Sequence, residues 1–330
     1  LCYLFEVTLL PKQGMQEELS KAESEKLAKI KAEMSAEEIQ KYIDECQELH
    51  KRQAMEDTPE NLASIPILQR KDINPQIDKL NFQIEKNGNS KNVYIPLKTN
   101  GIVYLDWEFD ISGIEPEKIL YVELLTEVLG KLDTLRYSYQ DIFTNTVMYT
   151  GGISTSVGAL SKFENADDYT IQFTLKGKVL ADKLDKFFDI LQAVSLETKF
   201  DDKKRFKEIV DEIKTDWDNN FFSRGLNVAL SRLYSYCSDA ARVNEMESFS
   251  LYEFITDLYN NFEEKADDTL KILSDLCKIC FNKTKYHFFY SCEKQDKEKF
   301  LQFSEKFVKK LQNCNQAGDK TKKLSFSNTN

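Results

Sequence analysis

The sequence predicts an α+β fold, an antiparallel sheet packed with helices and preceded by a helical hairpin. Three observations carry this. Residues 101–110, 169–176 and 286–292 alternate apolar with polar side chains, as strands with one buried face do: Val103, Leu105, Trp107 and Phe109; Ile171, Phe173 and Leu175; Phe288 and Tyr290. Phe206, Ile209, Val210, Ile213, Trp217 and Phe221 instead recur at the helical period. The two patterns mix along the chain without regular strand–helix–strand alternation, and no internal repeat is visible.

The totals agree with a folded chain of this kind. At 330 residues, 41% hydrophobic with 22 Phe and 15 Tyr, it has enough apolar surface for a sizeable core. No run reaches the roughly 18 apolar residues of a membrane-spanning helix. A net charge of −10 argues against a general nucleic-acid binder and suits cationic partners such as basic peptides. The seven cysteines, Cys2, Cys46, Cys237, Cys277, Cys280, Cys292 and Cys314, lack framework spacing and read as reduced thiols of a soluble intracellular protein, in the cytoplasm or an organelle matrix.

In chain order, Leu1–Leu10 is expected to be a strand closed by Pro11. Two helices follow, over 16–32 and 36–55, divided by a capping box of Ser35 and Glu38. Ile39, Ile43, Cys46 and Leu49 form a narrow seam on the second, so the pair is read as an antiparallel hairpin. Thr58-Pro59 opens a short helix, and the stretch to Asn92 is read as a linker. Strands are expected over 93–96 and 101–110, joined as a hairpin through Lys98-Thr99-Asn100-Gly101. Pro116 opens a buried helix carrying Ile119, Leu120, Leu124, Leu125, Val128, Leu129 and Leu132.

Tyr137 to Ser156 holds three signals together: Ser138 as a cap, a helix with Ile142, Phe143, Thr146 and Val147 on one side, then Thr150-Gly151-Gly152 opening a strand. The paired glycines read as a tight turn, since no phosphate-binding spacing surrounds them. The strand over 152–160 is expected to pair with 169–176, which Gly177 ends. Helices are expected over 179–194, 202–222, 225–241, 251–262, 267–281 and 294–311, with a strand at 286–292 and a polar tail from Gly318.

Residue chemistry offers no active site. A hydrolytic zinc site needs three protein ligands, and the only histidines, His50 and His287, read as an exposed residue and a structural one. Cys277 and Cys280 lack the second pair of a zinc site and fall in an apolar helix, so they read as core. The pairs Asp167-Asp168, Asp201-Asp202 and Asp267-Asp268 read as helix starts. No catalytic, metal-ligating or cofactor-binding residue is assigned.

One resemblance gives these residues a context. Lys98 to Tyr104, Tyr137 to Ser156, and Ser223-Arg224-Gly225 through Ala241 resemble, in order and spacing, the presequence-protease (falcilysin-like) branch of the pitrilysin/insulinase class of zinc peptidases. The resemblance runs from about Leu1 to about Phe307. It implies the middle of a longer protein: residues 1–15 the last strand of a preceding domain, 16–70 a hairpin linker, and 71–330 a non-catalytic α+β domain. The class binds zinc through His-x-x-Glu-His in another domain, so zinc is expected in the parent and not in this chain. The implied function is a wall and hinge of a zinc endopeptidase that degrades short unfolded peptides in a two-half chamber. The implied partners are the rest of the polypeptide, including a following fourth domain, and peptide substrates, with no nucleic acid or membrane. A catalytically silent relative acting as a binding or assembly subunit is the alternative.

Overall fold

The structure, a computed structural model, describes residues 12–76, 79–87, 90–283 and 286–311. The strand expected over Leu1–Leu10 and the tail from Gly318 lie outside them. The chain divides into two compact units, Leu1–Asp78 and Lys79–Asn330.

In the first unit, α1 (Met15–Glu33) and α2 (Ala36–Ala54) meet at the expected break. The Ser35 hydroxyl accepts from the Glu38 N–H, and the Glu38 carboxylate accepts from the Ser35 N–H at 2.9 Å. Such a box satisfies two donors that the first helical turn leaves without partners. The Thr58 hydroxyl caps α3 (Pro59–Ser64) by accepting from the Asn61 N–H at 3.3 Å, with Pro59 in its first turn. None of these helices has a buried residue. The seam on α2 is present but open: Ile39, Ile43 and Cys46 line a groove of about 400 Å³ with Met34 and Tyr42.

The second unit is built on one sheet, which has six strands among the described residues. They are β1 (Gln83–Asn87), β2 (Ser90–Pro96), β3 (Ile102–Asp110), β4 (Ile153–Lys162), β5 (Asn165–Leu180) and β6 (Tyr286–Cys292), in the spatial order β1-β2-β6-β3-β5-β4. All pairs are antiparallel except β2 with β6, which is parallel. The stretch read as a linker before Asn92 therefore contains a β1–β2 hairpin. The hairpin expected between 93–96 and 101–110 does not form, because β6 lies between them. The turn itself is real, with Asn100 and Gly101 at φ 52° and 79°. It carries the chain past the end of β6, where the Glu293 carboxylate accepts from the Asn100 N–H at 3.0 Å.

The reason β6 takes this inner place is its buried set. Tyr286, Phe288, Tyr290 and Cys292 all face the core, and only a strand with partners on both sides satisfies its ladder while burying so much apolar surface. Row by row, the core face reads Val157-Phe173-Phe109-Tyr286 and Leu175-Trp107-Phe288. Trp107 packs on Phe109 with ring centroids 5.5 Å apart and edge-on to Phe307 at 5.1 Å.

Among the described residues of this unit nine α-helices accompany the sheet: α4 (Ile119–Val128), α5 (Tyr139–Tyr149), α6 (Leu184–Leu196), α7 (Lys203–Asn220), α8 (Gly225–Ser235), α9 (Asp239–Glu245), α10 (Phe249–Asn260), α11 (Phe262–Cys280) and α12 (Lys294–Val308). Ile119, Val122, Leu124, Leu125 and Val128 make α4 the buried helix its sequence predicts. Gly177 does not end its strand; β5 runs on to Leu180. A Cβ there would stand 2.5 Å from the Phe187 ring, so glycine at this position makes room for an aromatic side chain of α6. The single helix expected over 225–241 is two, because Ser238 starts a new one by accepting from the Ala241 N–H. Asp202 caps α7 as expected, but Asp168 lies in β5 and Asp267 and Asp268 lie inside α11.

Candidate functional site

The sequence-derived candidates do not come together. His50 is exposed on α2. His287 lies in β6, where its Nδ1 accepts from the Lys91 N–H at 3.1 Å. Burial, with Lys91 beside it, holds its pKa below the ordinary value, so the ring is neutral and structural. Burial pushes the Cys277 thiol up to about 12 and Cys280 well up too, which removes the thiolate that redox or metal chemistry uses. Among the described residues no three His, Cys, Asp or Glu side chains stand close enough to hold a metal ion. These residues do not fit a zinc site.

The stretch over 137–156 is a structural joint. Ser138 caps α5, accepting from the Asp141 N–H at 3.1 Å. Tyr137 donates its hydroxyl to Asp189 at 2.7 Å, and Arg136 bonds Asp189 and Glu197, which fastens this stretch to α6 and its end. Gly151 N–H donates to the Lys178 carbonyl at 2.8 Å, extending the sheet by backbone pairing. Only Ile142 of the expected apolar side is buried; Phe143 and Val147 are exposed.

What the fold does offer is the sheet's second face. Register places Ser154, Lys176, Asp106, Phe289, Val93 and Ile84 in one row across six strands, and Ser156, Thr174, Glu108, His287 and Lys91 in the next. All of them are half-buried or exposed. Along the centre of this face, β3 presents Asp106, Glu108 and Asp110 at every second position, between the core residues Leu105, Trp107 and Phe109. Lys176 stands 3.4 Å from Asp106. Gln172 donates to Glu108 at 3.2 Å, and burial, then the neighbouring Asp106, raise the Glu108 pKa. This is an acidic stripe on an open, mostly polar wall, suited to contact with basic side chains. Its signal is legible in the alternation of Asp106, Glu108 and Asp110 with the core set, but strand order is needed to bring Lys176, His287 and Phe289 alongside.

A family model described as peptidase-associated matches residues 9–258. The chain belongs to that family. This peptidase-associated chain is 26% identical over 309 residues to Protein HypA of Clostridium perfringens, covering 93% of this chain and 31% of that protein. It is 27% identical over 259 residues to Presequence protease 1, chloroplastic/mitochondrial, of Arabidopsis thaliana (78% and 23%). With the mitochondrial presequence protease of Saccharomyces cerevisiae it shares 26% over 280 residues (82% and 28%). The resemblance to presequence proteases read from the residues is thereby borne out. The peptidase-associated chain spans between about a quarter and a third of the length of these relatives.

Proposed function

We propose that this chain is a non-catalytic part of a zinc-dependent endopeptidase that degrades short, unfolded, basic peptides inside a chamber formed by two halves. In this reading α1 and α2 are the hinge between the halves, and the open sheet face of the second unit is part of the wall that peptide meets. The observation that carries it is the acidic stripe of Asp106, Glu108 and Asp110 on a sheet face whose side chains are half-buried or exposed. Membership of a peptidase-associated family supports the setting, and the names of its relatives support peptides of the targeting class. The stripe would act by binding: carboxylates on a preformed wall attract basic side chains and raise their local concentration, while bond cleavage is left to residues elsewhere in the parent.

In the full-length parent, replacing Asp106→Asn, Glu108→Gln and Asp110→Asn together is expected to raise KM for a lysine- and arginine-rich peptide about ten-fold, with kcat unchanged, because uniform binding is lost and no transition-state contact. An acidic peptide of equal length should be unaffected or bind better. Unchanged KM for the basic peptide would overturn the role given to the stripe.

A further inference from the structure

A second concave site lies on the opposite, helix-covered side of the sheet, between its β1 end and α12. Its volume is about 460 Å³, within the range of roughly 300–1,000 Å³ typical of small-ligand sites. The sheet supplies one wall through Glu85, Asn92 and Phe288, which stand side by side in register on β1, β2 and β6, with Tyr286 in the next row. The helix supplies the other through Leu301, Ser304, Glu305 and Val308, spaced as one face of α12. Lys283 and Lys309 also line it.

Asn92 makes this groove more than a packing gap. It is 9% exposed, yet its Oδ1 is buried without a hydrogen-bond partner among the described residues. An orphaned buried acceptor is costly and uncommon, and one lining a cavity calls for a donor that enters it. The other polar groups of the walls are already engaged or charged. Ser304 donates to the Leu301 carbonyl at 2.9 Å, and Glu85 is held by Lys297 at 2.7 Å. Lys283 and Lys309 have no salt-bridge partner among the described residues, and Glu305 is the second carboxylate of the lining beside Glu85.

We propose that this groove binds the C-terminal end of a short peptide that finishes in an apolar residue. The three features each select one part of that ligand. Asn92 Oδ1 accepts its backbone N–H, Phe288, Leu301 and Val308 cover its last side chain, and Lys283 with Lys309 meet its free carboxylate. The site is separate from the acidic stripe, which takes basic side chains on the other face of the sheet, and it does not depend on that reading.

The test is a titration of the 330-residue chain with N-acetyl-leucyl-phenylalanine and with the same dipeptide amidated at its C-terminus, followed by calorimetry and by NMR of the asparagine side-chain amides. The acid is expected to bind at least about ten-fold tighter than the amide. Asn92→Leu should weaken the acid about ten-fold, and Lys309→Gln, at an exposed position, about five-fold. If Asn92→Leu does not fold, Val308→Trp, which fills the groove from its rim, takes its place and should abolish binding. Equal affinity for acid and amide, no binding of either, or binding unmoved by these substitutions would overturn the proposal.

Discussion

Glu123 is a carboxylic acid set inside the core helix α4. Burial, then the nearby Glu247 and Glu127, push its pKa up to about 8. The folded chain keeps this proton to about pH 8, whereas an unfolded chain releases it near the ordinary value of 4.5. The stability tied to the group is therefore complete below about pH 4.5 and is lost as pH rises to about 8. Glu123→Gln keeps the neutral shape at every pH. It is expected to be more stable than the native chain at about pH 8.5, by on the order of a few kcal/mol, and nearly equal to it at about pH 4.5. Urea unfolding at the two pH values checks this; an identical pH dependence in both proteins would contradict it. Residue-scale features of this kind divide by range. Ser35, Thr58, Ser138 and Asp202 are legible as caps because a cap is read within four residues. Gly177 reads in the sequence as a strand end, because what it makes room for, the Phe187 ring, is set by packing and leaves no local pattern. Asn92 looks in the sequence like the end of a linker, and only the sheet turns it inward.

At the scale of elements, β4 is an edge of the sheet, and α9 closes it. The Asn244 side chain accepts from the Ala159 N–H at 2.6 Å and donates to the Ala159 carbonyl at 3.1 Å, taking the place a neighbouring strand would have. An uncovered edge is a template for pairing with another chain. Asn244→Ala is expected to cost about 1 kcal/mol in unfolding free energy and to promote concentration-dependent association, read by sedimentation. An unchanged midpoint with no association would show that the edge needs no such cover. The strands β3, β4, β5 and β6 are placed by alternation alone, since their buried side chains fall at every second residue. Their order is not. The β2–β6 parallel pair joins residues nearly two hundred positions apart, and turn chemistry at Asn100-Gly101 specifies a reversal without specifying the neighbour. The break at Ser238 is hidden for the opposite reason: apolar residues continue through it, and the cap has to be weighed against the pattern.

The whole molecule is a pair of dissimilar units. The second has a large core running from Tyr94 to Leu311 and a smaller cluster of Ile142, Ile190, Ala193 and Val194, whereas the first has two long helices without a buried residue, with Leu19, Leu27, Ile30, Ile43 and Leu49 all exposed. Most helical stability in proteins comes from packing an apolar face rather than from propensity. Helices with so little of theirs buried fit elements that have partners in a larger protein, which the proposed hinge requires. Removing residues 16–55 from the parent is expected to abolish peptide cleavage while zinc stays bound, as metal analysis and a cleavage assay on the same preparation would show; retained cleavage would remove the hinge role. Whether the chain is wall and hinge with the chemistry elsewhere is decided by a cleavage assay of the 330-residue chain alone with a basic peptide and added zinc, beside the longer polypeptide that contains it. Cleavage is expected from the longer polypeptide and not from the chain alone. Zinc-dependent cleavage by the chain alone would contradict that role.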